Sequence, residues 1–158
     1  MVELLSVAIG IGLAVSLLFS EMFGLAAGGM VVPGYFALYL HRPVDILLTL
    51  VAALGTYLIV HLLSTFIIVY GKRRTVMMIL IGYLVRAVID SVPLPTGFTM
   101  VTAAQGIGDF QVIGFIIPGL IAIWIDRQGL VETISALITA SVVIRLILIL
   151  IYGTSLAL

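Results

Sequence analysis

Two stretches of the sequence decide how this chain folds: GGMVVPGYFALYLHRP, residues 28–43, and IGFIIPGLIAIWIDRQ, residues 113–128. Each places a Pro-Gly pair inside an apolar segment, and an arginine, Arg42 or Arg127, stands at the end of that segment. Proline removes a backbone donor and clashes with the preceding turn of a helix. Glycine costs about 1 kcal/mol against alanine in a helix interior. Both segments are therefore predicted to break or kink a helix at the same point.

The composition identifies lipid as the solvent of this protein. Of 158 residues, 63% are hydrophobic and 9% are charged, whereas soluble domains carry about 25% charged residues. The net charge of zero argues against nucleic acid as a partner. The absence of cysteine excludes disulfides and cysteine zinc sites. The first charge is acidic, Glu3, so the first apolar stretch is expected to remain as a helix and not to be cleaved as a signal peptide.

The apolar stretches predict an all-α integral membrane protein with a single transmembrane domain, residues 1–158. A helix needs roughly 20 apolar residues to cross a bilayer. Four stretches approach or reach that length, and the two Pro-Gly segments lie between them, at about 24–40 and 107–125. Residues 91–109 contain several prolines and glycines and are predicted to form a loop. The four long transmembrane helices are predicted at residues 4–20, 46–71, 75–92 and 130–152.

The two Pro-Gly segments indicate an internal two-fold repeat. Residues 29–42 laid on 114–127 give five identities in fourteen positions, and the remaining pairs are apolar or aromatic except for His41 on Asp126. The repeating unit is a helix, a Pro-Gly segment, an arginine and a long helix. Repeat 1 is predicted at about 1–71 and repeat 2 at about 72–158.

The Pro-Gly pairs allow two interpretations. In one, each segment is a kinked helix that crosses the membrane, and Pro-Gly only lets helices pack closely. This gives six spans and places Arg42 and Arg127 on opposite faces. In the other, which sequence reasoning prefers, each segment is re-entrant, and both arginines lie on the outer face. Half-helices that start near Pro33 and Pro118 would then expose free N–H groups near the midplane, where they could bind carboxylates.

Charges within the apolar stretches are candidates for a functional path. Arg86 and Asp90 are four residues apart and could pair on one helix face. Arg145 has no carboxylate at that spacing, and an arginine at membrane depth is expensive without a partner. Either Arg145 pairs with Asp90 or Asp109 or reaches an interface, or Arg86 and Arg145 line a path for an anion. His61 is expected to be a core histidine.

The consecutive cations Lys72, Arg73 and Arg74 orient the chain. Basic residues in short loops mark the cytoplasmic side, so the loop 71–74 is predicted to be cytoplasmic, where it would suit a partner protein or anionic lipid headgroups. No P-loop, HExxH motif or serine elbow is present, so no catalytic role is predicted for this chain. The candidate path residues are Pro33, Gly34, Pro118, Gly119, Arg86 and Arg145.

Three motifs resemble one family. GMVVPGY at 29–35, GFIIPGLIA at 114–122 and YGKRR at 70–74 resemble PgsC, also called CapC, of the poly-γ-glutamate synthesis system. The resemblance implies a small plasma-membrane subunit of a capsule-polymer synthase. Its implied partners are a cytoplasmic PgsB/CapB-like amide ligase, which would carry the ATP and Mg²⁺, and an anchored PgsA/CapA-like outer protein. No cofactor is implied on this chain.

The implied product, poly-γ-glutamate, is a polyanion that needs a lined route through lipid. One small protomer leaves little room for such a route, so a homo-oligomer or a composite pore with partner subunits is expected. Two other functions are compatible with the sequence. One is an independent secondary transporter or channel for a small carboxylate, and the other is a purely structural membrane anchor.

Overall fold

The described part of the chain is built from helices. The computed structural model describes residues 2–66, 71–91, 113–114 and 116–153, and within these ranges the side chains of residues 2–5 and of Asp90 are left out. No strand occurs in these ranges, so the all-α prediction is confirmed for the residues described. The helices are α1 (Val2–Phe23), α2 (Val32–Leu38), α3 (Pro43–Phe66), α4 (Lys72–Ser91), α5 (Ile117–Gln128) and α6 (Leu130–Tyr152).

Three of these helices, α1, α3 and α6, are long and apolar enough to cross a membrane. The qualifying segments are Ser6–Phe23, Pro43–Phe66 and Leu130–Tyr152. The fourth long helix, α4, has 20 residues and at 1.5 Å per residue is about 30 Å long. Its three leading cations and its internal Arg86 and Asp90 make it less apolar than the others. All four long helices lie close to the predicted stretches.

The Pro-Gly segments contain the two short helices. With 7 residues in α2 and 12 in α5, they are only about 10 Å and 18 Å long, too short to cross a bilayer alone. Each carries its proline, Pro33 or Pro118, in the first turn, where the missing N–H would have no intrahelical acceptor. Helices therefore do start at the two prolines, as predicted.

The short helices join the two halves of the chain. α2 packs on α1, which precedes it, and on α6, which belongs to the second half of the chain; α5 packs on α4, which precedes it, and on α3, which belongs to the first half. α2 and α5 also touch each other, and α5 contacts α6, which follows it. The contacts between long helices are α3 with α4 and α1 with α6. Each short helix is thus inserted between a helix of its own half and a long helix of the other half.

An apolar core lies where the short helices meet. Val32 and Phe36 of α2, Ile117 and Ile121 of α5, and Leu137 of α6 are all buried in one cluster. The outward faces of the long helices carry large exposed apolar side chains, as expected for surfaces that contact lipid.

His61 is not the core histidine that the sequence predicted. Its side chain is exposed on the outward face of α3, and its ring stacks on Tyr57 with centroids 5.8 Å apart. The buried face of α3 includes Thr56 and Val60. His61 follows Val60 by one position, which rotates it about 100° away from that face.

Candidate functional site

The first Pro-Gly pair lies where α2 touches the backbone of α1. A Cβ atom added to Gly34 would be 2.8 Å from the carbonyl oxygen of Ala8 and 3.3 Å from Cα of Ile9. A Cβ added to Gly12 of α1 would in turn be 2.9 Å from Cα of Gly34. Real side chains do not approach backbone this closely, so both positions require glycine for the two helices to meet.

The second Pro-Gly pair repeats this contact between α5 and α4. A Cβ added to Gly119 would be 2.8 Å from both Cα of Ile79 and the carbonyl oxygen of Met78. A Cβ added to Gly82 would be 2.6 Å from the backbone nitrogen of Gly119. Each contact residue of α4 lies 70 positions after the corresponding contact residue of α1, and Gly119 lies 85 positions after Gly34. The two contacts are therefore made by corresponding residues of the two halves.

Sequence reasoning missed the partner glycines Gly12 and Gly82. A signal was available, because residues 9–15 (IGIGLAV) and 79–85 (ILIGYLV) share the pattern Ile-x-Ile-Gly-x-x-Val. This pattern lies in the helices that precede the Pro-Gly segments, outside the matched residues 29–42 and 114–127.

The chain before each short helix is held by hydrogen bonds that involve a threonine, directly before α5 and through Gln128 before α2. Thr49 of α3 accepts a hydrogen bond from the backbone N–H of Ile113 at 2.9 Å, just before α5. Thr133 of α6 accepts one from the Gln128 amide at 3.1 Å, and that amide also bonds both backbone groups of Ala26, before α2. These links again run between the two halves of the chain. The sequence did not single out either threonine or Gln128.

Arg145 of α6 binds the last turn of α2. Its Nη1 donates to the backbone carbonyl of Ala37 at 3.2 Å. The last carbonyls of a helix lack intrahelical donors and carry partial negative charge, so an arginine is favourable there. Arg145 thus contacts the C-terminal end of α2. The predicted carboxylate partner Asp109 and the side chain of Asp90 lie outside the described residues.

Arg86 is buried within the bundle, with 7% of its surface exposed. It lies one turn after Gly82 on the same face of α4. Gly82 contacts Gly119 of α5, so Arg86 lies on the side of α4 that faces α5. Arg86 and Arg145 occupy different long helices, and the path role predicted for them stays a prediction.

The two arginines that follow the Pro-Gly segments have different surroundings. Arg42 forms an ion pair with Asp45 at 3.5 Å, and the Asp45 side chain is 1% exposed. Arg127 is exposed, and its guanidinium lies 5.5 Å from the ring centroid of Trp124, which is within the range of a cation–π interaction.

The cationic loop adjoins the end of α5. Arg74 forms an ion pair with Asp126 at 2.5 Å, and both side chains are about three-quarters buried. Lys72 and Arg73 are exposed. A cavity of about 410 Å³ opens here between the first turns of α4 and the last turns of α5. Its lining comprises Gly71, Lys72, Arg74, Thr75, Met78, Ile123, Asp126 and Arg127.

The structure therefore separates the predicted site residues into distinct places. Pro33, Gly34, Pro118 and Gly119 are buried where the short helices pack on α1 and α4. The structure brings Arg127 together with the cationic loop, which the sequence did not predict. Within the described ranges no group of three or more metal-ligating side chains occurs.

Comparison with known proteins gives a consistent result along the chain. The family model described as Capsule biosynthesis CapC matches residues 11–134. The chain belongs to the CapC family. The PGA biosynthesis protein CapC of Bacillus subtilis (strain 168) is 38% identical over 138 residues, which cover 87% of this chain and 88% of the relative. The capsule biosynthesis protein CapC of Bacillus anthracis is 37% identical over the same coverage. No solved structure matches the chain.

Proposed function

We propose that this chain is the integral membrane subunit of poly-γ-glutamate synthase. In this role it anchors a cytoplasmic ATP-dependent amide ligase and supports synthesis and export of the polyanionic product. The observation that carries the proposal is 38% identity, over 87% of the chain, to a protein named for PGA biosynthesis. Catalysis, ATP and Mg²⁺ belong to the PgsB/CapB-like ligase, and a PgsA/CapA-like protein acts outside.

The membrane topology that we propose has six crossings, and the contacts of α5 support it. Gly119 at the start of α5 lies against Ile79, near the middle of α4, while Asp126 near its end pairs with Arg74 in the first turn of α4. α5 therefore runs antiparallel to α4 and ends beside the residue where α4 began. Because α4 ends at the opposite end of the bundle, the chain must cross back before α6 starts.

The chain around α2 crosses in the opposite direction. Ala26, before α2, is bonded to Gln128 at the end of α5, whereas Ala37, in the last turn of α2, packs beside Ala8 near the start of α1. Arg42 and Arg127 then lie at opposite ends of the bundle. This supports the kinked-crossing interpretation and an inverted repeat, and it goes against the re-entrant arrangement with both arginines outside.

The basic residues orient this topology. We call the end of the bundle with Lys72, Arg73, Arg74 and Arg127 the cationic end. By the positive-inside tendency the cationic end faces the cytoplasm, and Arg42 faces outward. The ligase would then dock at the cationic end, where Arg73 is exposed.

The close packing of the Pro-Gly pairs bears on the route of the polymer. Gly34 and Gly119 meet neighbouring backbones with no room for even a methyl group. These points hold the helices together and are poor candidates for the wall of a pore inside one chain. A polymer route between copies of this subunit, or between it and its partners, fits this packing better.

Inverted halves with helices broken near the middle are also typical of secondary transporters. This observation keeps an independent carboxylate transporter as the second candidate function. Such a transporter would move a small carboxylate into lipid vesicles without the ligase. A purely structural anchor, the third candidate, would tolerate replacement of Arg145.

The test is complementation in a host that lacks its own CapC-family gene but keeps the ligase and the outer protein. The chain should restore polymer in the medium. Arg145→Gln should lower that output several-fold while the ligase still copurifies, whereas Arg73→Glu should release the ligase. Failure of the well-expressed chain to restore polymer would contradict the proposal, and normal output from Arg145→Gln would favour the anchor alone.

A further inference from the structure

The cavity at the cationic end combines basic side chains from two helices that are distant in sequence. Lys72 and Arg74 come from the first turn of α4, and Arg127 comes from the last turn of α5. We propose that this cavity binds consecutive carboxylates of an acidic chain, which, resting on the proposed function, is the γ-linked glutamate polymer at its point of contact with the membrane subunit.

The charge of the cavity exceeds what its own acid can neutralise. Asp126 is the carboxylate in the lining, and it pairs with Arg74. The charges of Lys72 and Arg127 remain in excess. The start of α4 adds to them, because the first N–H groups of a helix have no intrahelical acceptor and carry partial positive charge.

The glycine contact between the two helices does not itself need these cations. The contact of α5 with α4 is repeated by α2 and α1, with glycines in matching places. At the positions where α4 begins with Lys72, Arg73 and Arg74, α1 has Val2, Glu3 and Leu4. The same helix crossing is therefore built without basic residues at the other end, so the cations of the cavity require an explanation other than packing.

The position of the cavity argues against a membrane lipid as its occupant. Met78 and Ile123 line it, and they are 1% and 7% exposed. The cavity therefore extends into the bundle between α4 and α5 and not along the exposed apolar faces where acyl chains lie. A volume of about 410 Å³ is within the range of small-molecule sites and would hold a short piece of an acidic chain.

The test measures binding of a fluorescent γ-glutamate oligomer to the purified full chain in nanodiscs of phosphatidylcholine, at fixed salt. Lys72→Gln and Arg127→Gln should each raise the Kd by roughly tenfold, since each removes a charged hydrogen-bond donor. Arg73→Gln is the matched control. It removes one charge from the same loop, but Arg73 does not belong to the cavity lining, so its Kd should change less than about twofold, as expected for a screened surface charge.

Three results would overturn the proposal. The first is an equal loss of affinity in all three variants, which would mean a diffuse surface charge. The second is no binding of the oligomer to the wild-type chain. The third is displacement of the oligomer by glycerol phosphate at much lower concentration than by free glutamate, which would identify a lipid headgroup site. Complementation by the wild-type chain is unaffected by these results, so failure here is distinguishable from failure of the proposed function.

Discussion

At the scale of single residues, the molecule depends on four glycines that let helix backbones touch. They form two pairs, Gly12 with Gly34 and Gly82 with Gly119. A methyl group at any of them would have to displace backbone atoms, because the neighbouring atoms are not the movable ends of side chains. Overpacking of this kind costs typically 1–3 kcal/mol, and more where backbone is the obstacle.

We predict that Gly119→Ala lowers thermal stability while Gly55→Ala does not. The added Cβ at Gly119 would be 2.8 Å from two backbone atoms of α4, whereas at Gly55, inside α3, nothing lies within 4 Å. Thermal unfolding of the purified protein should show a midpoint lower by roughly 5 °C for Gly119→Ala. Gly55→Ala should be neutral or slightly stabilising, because alanine favours helix. Equal midpoints for the two variants would contradict the close contact.

At the scale of helices, the direction of α5 relative to α4 distinguishes the two interpretations of the Pro-Gly segments. In a re-entrant arrangement the end of α5 would return to the end of the bundle where α4 finishes. The Arg74–Asp126 pair instead places the end of α5 beside the start of α4.

We therefore predict that cysteines introduced at positions 74 and 126 are joined by a short bifunctional thiol crosslinker. A crosslinker is the suitable probe because the contact is made through a long arginine side chain, whereas a disulfide needs Cα atoms within about 7 Å. The native chain has no cysteine, so the crosslink can be formed in membranes without background and detected by the altered mobility of the protein on gels. A pair at positions 73 and 126 is the control, since position 73 is exposed and rotated about 100° around α4. Absence of a 74–126 crosslink, or equal crosslinking of both pairs, would argue against the antiparallel contact.

The sequence predicted the long helices well and the short ones only in part. The lengths of the apolar stretches and the positions of the charges predicted where α1, α3, α4 and α6 begin and end. A helix that crosses a bilayer needs a long apolar stretch with few charges inside it. Pro33 and Pro118 marked where α2 and α5 start because proline suits the first turn of a helix. The packing of each short helix against a long helix of the other half could not be predicted, because every apolar segment offers a similar surface. The choice of partner helix depends on individual contacts, such as the hydrogen bond between Thr49 and Ile113.

The candidate site was predicted less completely than the helices. Sequence reasoning selected Lys72, Arg73 and Arg74 as a group because they are consecutive, but Arg127 joins them only through the fold. Arg145 was selected for its cost in lipid, yet its bond to Ala37 depends on where the last turn of α2 lies.

At the scale of the whole molecule, the two ends of the bundle differ in charge. The cationic end carries Lys72, Arg73, Arg74 and Arg127, and the other end carries Arg42 in an ion pair with Asp45. In the proposed six-crossing topology, these ends face opposite sides of the membrane.

We predict that single cysteines at these ends label differently in intact cells. With a membrane-impermeant thiol reagent, a cysteine at position 41 should react from outside, while cysteines at 127 and 73 should react only after the cells are permeabilised. Position 41 is exposed and leaves the Arg42–Asp45 pair intact. Labelling of cysteines at both 41 and 127 from outside would support the re-entrant arrangement. The cysteine at position 73 reports independently on which end of the bundle faces the cytoplasm.

Because α2 packs against a helix of the other half, the first half of the chain cannot complete its packing until the second half has been synthesised. A ribosome releases α2 long before it makes α6, the long helix against which α2 packs and whose Arg145 binds the carbonyl of Ala37. The first half therefore enters the membrane with one face of α2 uncovered and stays incomplete until the C-terminal helix arrives. Nascent chains interrupted before α6 are expected to be degraded, and two separately made halves, 1–71 and 72–158, should accumulate only when they are produced together.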